Sequence, residues 1–373
     1  MRPDELLLPD DLVPADGRFG CGPSKVRQPA VDRLAEAAPG LLGTSHRKPA
    51  VKDLVRRVRE GAAAHFGLPG DWEVALGVGG ATLFWEVAAH SLIERRCGHA
   101  VLGEFSEKFA KVTDLAAHLD EPVRIPAEPG ARPELGPIDG VDAVAYPQCE
   151  TSTGVAMPLV HPDERALTLV DATSGAAGMP FSADACDVYY FSPQKCLGSE
   201  GGLWIALLSP EALARAEALA DAGRRPTPML DLRTAVDNSR KDQTYSTPAV
   251  ATLFLAADQL EWLAERGGLD AAVADCEAKS GHVYRWAEAH PLAEPFVADP
   301  AARSPVVCTV DLDERLPADD VCAALRANGV LDTEAYRKLG RNQLRIATFP
   351  AVDAVDVERL TGAIDWIAER LAA

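Results

Sequence analysis

Short apolar runs of strand length alternate with longer segments of helical period along most of this chain, and that order restricts the folds open to it. The runs fall at 100–103, 141–146, 167–171, 187–191 and 203–208, and the periodic segments at 51–66, 83–96, 106–119 and 210–220. Strands separated by helices predict an α/β architecture, a mostly parallel sheet with helices on both faces. In open sheets of this kind ligands bind at the carboxyl edge of the strands. Residues standing just after the apolar runs are therefore the candidates for function.

The length of 373 residues suggests two domains. Residues 1–17 are acidic and Pro-rich and read as an arm lying on the surface. Residues 18–266 hold the alternating pattern, and Gly267-Gly268 marks a boundary before a smaller α/β unit over 267–373. The stretch 221–250 reads as loop. Net charge is −19, from 56 acidic against 37 basic residues, which argues against a nucleic-acid or anionic-membrane surface. The eight cysteines form no Cys-x-x-Cys pair and read as reduced core residues of a cytoplasmic protein. Neither a signal peptide nor a bilayer-length apolar segment is expected.

Two strand ends carry the strongest chemical suggestion. The run ending at Phe191 stops at Ser192-Pro193 and presents Lys195 on a turn, and the run 167–171 ends in Asp171. A lysine in an apolar setting can lose its proton and attack a carbonyl. Pyridoxal phosphate chemistry needs such a lysine for its Schiff base and a carboxylate to keep the pyridine nitrogen protonated. The bland alternative is a solvated loop lysine.

Other elements fall on the same edge. Gly77-Val78-Gly79-Gly80-Ala81-Thr82 opens a helix and is either an anion cradle or a plain turn. It lacks the spacing of a dinucleotide or ATP loop. Phe105, just after a strand, either covers a flat ring or is core. Gln148 to Gly154 is hydroxyl-rich. His46-Arg47-Lys48 is either a solvated basic loop or an anion site, the latter favoured by the acidic background. Arg345 lies inside the last predicted strand, where its fork suits a carboxylate or an ion pair between domains.

Taken in order, Gly20-Cys21-Gly22-Pro23, Ser45-His46-Arg47, Gly79-Gly80-Ala81-Thr82, Glu150-Thr151, Asp171-Ala172-Thr173-Ser174, Gln194-Lys195, Thr247-Pro248 and Leu344-Arg345 resemble the motifs of the phosphoserine aminotransferase family. These are class V aminotransferases of fold type I, and the likeness runs from residue 18 to about 350. It implies a large domain with a mostly parallel seven-stranded sheet, a smaller C-terminal α/β domain, and pyridoxal 5′-phosphate as cofactor. Lys195 would join the cofactor and shuttle the proton, Asp171 would pair with the ring nitrogen, and Phe105 would stack on the ring where many relatives carry Trp. Thr151 would reach the phenolic oxygen. Ala81, Thr82 and Gln194 would hold the phosphate, with Ser246 and Thr247 reaching it from the partner of an obligate homodimer. Arg345 would take the substrate α-carboxylate, and His46 with Arg47 the distal anion.

Two departures stand out. Ser246 replaces a more usual Asn, and Thr82 stands where many relatives carry Arg, so that Lys48 or Arg341 becomes a candidate to share the distal anion. The implied reaction joins L-glutamate and 3-phosphohydroxypyruvate to O-phospho-L-serine and 2-oxoglutarate, with a related phosphohydroxythreonine pair also in reach. Rivals are an alanine–glyoxylate or serine–pyruvate aminotransferase, whose acceptors carry no phosphate for His46-Arg47, and a non-catalytic module that senses the cofactor.

Overall fold

The computed structural model describes residues 2–371 and carries the expected alternation. Helices α1 (Gln28–Leu41) and α2 (Pro49–His65) lead into β1 (Glu73–Val78), α3 (Gly80–Ser91), β2 (Cys97–Val101), α4 (Glu104–Leu115) and β3 (Val123–Pro126). Then come β4 (Ala143–Pro147), a small hairpin of β5 (Cys149–Glu150) and β6 (Val155–Ala156), β7 (Leu167–Asp171), β8 (Val188–Phe191) and β9 (Leu203–Leu208). Helices α5 (Pro210–Asp221), α6 (Leu232–Ser239), α7 (Val250–Glu265) and α8 (Gly268–Ala289) follow. The chain closes with β10 (Ala293–Pro295), β11 (Val307–Leu312), α9 (Ala318–Ala327), β12 (Gln343–Ala347) and α10 (Ala354–Leu371).

Seven strands form one sheet in the order β1-β9-β8-β7-β4-β2-β3. The pairs from β8 to β3 are parallel, and β9 runs antiparallel to both of its neighbours. A strand buried on both faces reads as a continuous apolar run, and β8 and β9 are such strands. Val188, Tyr190, Trp204 and Ala206 enter the apolar cluster on one face, while Tyr189, Phe191, Leu203 and Ile205 enter the cluster on the other. A second sheet, β10-β11-β12, is antiparallel and packs with α8.

Two expectations change. The stretch 221–250 is not all loop, because α6 lies within it. Asp231 caps that helix by accepting from Arg233 N at 3.0 Å, and Leu232, Ala235, Val236 and Ser239 form a buried stripe. The residues before α6 include Gly223, Pro226 and Pro228, which mask its short period. The N-terminal arm does more than lie on the surface. Leu6 and Leu8 are buried, Leu8 N donates to Asn328 Oδ1 at 2.9 Å, and Asn328 Nδ2 returns a bond to Leu6 O at 2.7 Å. All eight cysteines are free and buried. No helix among the described residues is long and apolar enough to cross a membrane.

Candidate active site

A cavity of about 450 Å³ opens at the carboxyl edge of the parallel strands. Its lining comes from the ends of five strands: Gly79 to Thr82 after β1, Phe105 after β2, Pro147 closing β4, Asp171 closing β7, and Ser192, Gln194 and Lys195 after β8. The sequence placed Phe105, Asp171, Gln194 and Lys195 at strand ends and the glycine turn at a helix start, and the parallel order of the sheet brings them together.

Lys195 is 7% exposed. Its Nζ donates to Thr151 Oγ1 at 2.9 Å and to Ser174 Oγ at 3.2 Å, and lies 5.4 Å from the centre of the Phe105 ring. Burial holds the Lys195 pKa below its ordinary value; Cys21 opposes this and the Arg345 guanidinium adds to it. Gly22 lets the backbone approach, since a Cβ there would sit 2.8 Å from Lys195 Cε. Asp171 accepts from Trp85 Nε1 at 3.0 Å on Oδ2 and from Thr173 N at 3.0 Å on Oδ1.

Gly79, which precedes helix α3, has φ 98°, a left-handed conformation, and no side chain caps the helix's first turn. Its leading N–H groups and dipole are therefore free for an anion beside Ala81 and Thr82. Gln194 Oε1 and Thr173 Oγ1 are buried without a hydrogen-bond partner. A flat cofactor with a carbonyl and a phosphate fits this set: an amine of lowered pKa, an acid across the cavity, a ring-covering aromatic and an uncapped helix.

Glu150, fully buried, carries more than the sequence suggested. Its carboxylate accepts from Phe105 N (3.3 Å), Ser106 N (3.0 Å), Ser106 Oγ (2.9 Å), Ser152 N (3.2 Å) and Ser152 Oγ (2.6 Å). It caps α4 and so fixes the backbone of Phe105 on one side and of Thr151 on the other. The acid next to Thr151 in a hydroxyl-rich loop was the available signal. Trp85 was missed because it reads as core, although it lies three residues beyond Thr82 on the same helical face.

Arg345, on β12, donates from one terminal nitrogen to Thr151 O at 3.2 Å and faces the Tyr336 ring at 5.4 Å. Tyr336 in turn lies 5.9 Å from Phe105. Five expected site residues do not line the cavity, and Arg345 is one of them, tied to it through Thr151. His46, Arg47, Ser246 and Thr247 gather elsewhere, where Arg47 donates to Thr244 O (3.3 Å) and Tyr245 O (3.1 Å), bonds Gln243, and His46 Nδ1 meets Thr247 Oγ1 at 3.1 Å. Of the two substitute bases, Lys48 is exposed, and Arg341 is committed to the Asp311 carboxylate, its Nε 3.0 Å from Oδ2.

The class-V aminotransferase family model matches residues 137–332. The phosphoserine aminotransferase of Nocardioides sp. is 54% identical over 372 residues, spanning 99% of this chain and all of its own length. Among solved structures, a phosphoserine aminotransferase from Cytophaga hutchinsonii superposes with a TM-score of 0.87 at 22% identity, covering 94% of this chain and 99% of that one. A pyridoxal-phosphate-bound phosphoserine aminotransferase from Trichomonas vaginalis gives 0.79 at 18% identity, with coverage of 94% and 99%. The structural likenesses establish the fold, and the identity sustained over the whole length is what decides membership: the chain belongs to the phosphoserine aminotransferase family of class-V aminotransferases.

Proposed function

We propose that this chain transfers an amino group between L-glutamate and 3-phosphohydroxypyruvate, giving O-phospho-L-serine and 2-oxoglutarate, with pyridoxal 5′-phosphate as cofactor. The observation that carries this reading is Lys195, buried, held by two hydroxyls and sharing one cavity with Asp171. Bound pyridoxal phosphate supplies a ring that withdraws electrons from the substrate α-carbon.

The chain's own residues do the rest. Lys195 Nζ, its pKa lowered by burial, would hold the cofactor at its carbonyl carbon and would carry a proton to and from the substrate α-carbon. Thr151 and Ser174 aim that nitrogen. Asp171 would hold a proton on the ring nitrogen, Phe105 would cover the ring, and the α3 N-terminus with Ala81, Thr82 and Gln194 would hold the phosphate. Arg345 takes the α-carboxylate shared by both substrates. Its bond to Thr151 O ties that anion site to the residue that aims Lys195.

His46, Arg47, Ser246 and Thr247 act as one unit on the cavity of a second copy of the chain: His46 and Arg47 on the distal anion, Ser246 and Thr247 on the cofactor phosphate. The His46–Thr247 contact, the bonds of Arg47 to the adjoining Thr244 and Tyr245 carbonyls, and the absence of all four residues from the cavity lining support this arrangement. The reaction therefore needs a homodimer.

The test is amino transfer from 15N-labelled glutamate to a set of acceptors. Labelled phosphoserine should form readily, and 4-phosphohydroxythreonine should form from its keto acid, while pyruvate and glyoxylate react poorly. Equal use of pyruvate or glyoxylate would contradict the phosphate role of His46 and Arg47.

A further inference from the structure

The Asp171 carboxylate is gripped on both oxygens before any ligand arrives. Oδ1 is held by the backbone N–H of Thr173, and Oδ2 by the indole N–H of Trp85, each at 3.0 Å. A carboxylate has about four acceptor positions, so lone pairs remain for a ring N–H. Trp85 is a side-chain donor to Asp171. Tyr190, the partner of Asp171 in sheet register, brings its buried hydroxyl close enough to couple to both the acid and the Trp85 indole.

Trp85 itself has little freedom. It is 4% exposed and stacks on Phe109, ring centres 6.0 Å apart and planes 14° from parallel. It stands in α3, the helix whose uncapped first turn faces the same cavity. One rigid helix thus presents an anion site at its N-terminus and, about one turn later, the donor that orients the acid across the cavity.

We propose that Trp85 is a positioning residue for Asp171. Its N–H fixes the plane in which the carboxylate offers its free lone pairs, and α3 sets the span between that carboxylate and the phosphate end of the site. This rests on the reading of the cavity as the pyridoxal-phosphate site.

The test is Trp85→Phe, which keeps an aromatic ring on Phe109 and removes only the donor. Two readouts besides turnover decide it: the dissociation constant of pyridoxal phosphate from titration of the apoprotein, and the 15N shift of the labelled ring nitrogen in the bound cofactor. The expected result is a dissociation constant raised about tenfold, in line with loss of a hydrogen bond to a charged group, together with a 15N shift toward the unprotonated form. Turnover should fall with the KM for glutamate changed less than about twofold, since the α-carboxylate is assigned to Arg345 and not to Trp85. Phe109→Leu disturbs the stack without touching the N–H and should leave the 15N shift in place. Wild-type affinity and shift in Trp85→Phe, or an equal shift in Phe109→Leu, would overturn the positioning role and leave the cofactor reading intact. A wild-type protein that binds no pyridoxal phosphate would overturn both.

Discussion

His46 Nδ1 lies 3.1 Å from the Thr247 hydroxyl, a contact that joins two loops 201 residues apart. Arg47 reinforces it through the carbonyls of Thr244 and Tyr245. These contacts hold the two loops that carry His46, Arg47, Ser246 and Thr247, the residues proposed for the phosphate-bearing ligands, against each other, and none of the four lines the Lys195 cavity. A cavity in one copy and a block from another would make a site at the interface.

Mixing two inactive variants distinguishes this arrangement from a site within one chain. Lys195→Ala and Arg47→Ala homodimers should each be nearly inactive. In a hybrid, one site would combine both defects and the other would be intact. After random reassociation, activity should recover to about one quarter of wild type, because half the dimers are hybrids with one good site each. No recovery, with hybrid formation confirmed by native mass spectrometry, would place both residues in one chain's site.

Glu150 meets three backbone N–H groups, on Phe105, Ser106 and Ser152, and these can only donate. In Glu150→Gln, either orientation of the amide turns an NH2 toward at least one of them. A loss of about 1–3 kcal/mol in unfolding free energy is expected from the unsatisfied donor. Loosening Phe105 and Thr151 should also alter the visible circular dichroism of bound cofactor. Urea denaturation and that spectrum check the two effects separately; a spectrum unchanged in the destabilised variant would limit Glu150 to a stabilising role.

His65 is buried with neither ring nitrogen bonded, and burial lowers its pKa to about 4. The unfolded chain takes up this proton below about pH 6.5 while the folded chain refuses it until about pH 4. Stability is thus present above pH 6.5 and drains away as pH falls through that window. His99, lowered to about 3 by burial, adds to the loss in the same direction. His65→Leu should change stability at pH 7 by less than about 1 kcal/mol and flatten the decline between pH 6.5 and 4. Parallel urea titrations at both pH values measure this, and an unchanged slope would show that His65 does not drive it.

The legible parts of this molecule were those encoded locally. Lys195, Asp171, Phe105, Thr151 and Gln194 each follow a strand, so naming the strands was enough to bring them to one edge. The direction of β9 was not legible, because a run such as Leu203–Leu208, buried on both faces, looks the same either way. Helix α6, only eight residues long, is masked by Gly223, Pro226 and Pro228 before it and Pro248 after it. Trp85 and Glu150 were overlooked for a shared reason: an indole in an apolar helix and an acid in a polar loop acquire roles only through partners distant in sequence. Arg341 was a reasonable substitute base until Asp311 was seen to hold it. His46 and Arg47 stand side by side in the sequence as an expected anion pair, but the chain that holds them does not place them at its own cavity.

The most direct measurement is the visible absorption of protein loaded with pyridoxal phosphate, recorded before and after L-glutamate and again after 3-phosphohydroxypyruvate, with Lys195→Ala in parallel. The expected result is a visible band that moves to the ultraviolet with glutamate and returns with phosphohydroxypyruvate, but not with pyruvate or glyoxylate. Lys195→Ala should not complete the cycle. A wild-type band that glutamate leaves unchanged, or one that pyruvate restores as well as phosphohydroxypyruvate, would contradict the proposed reaction.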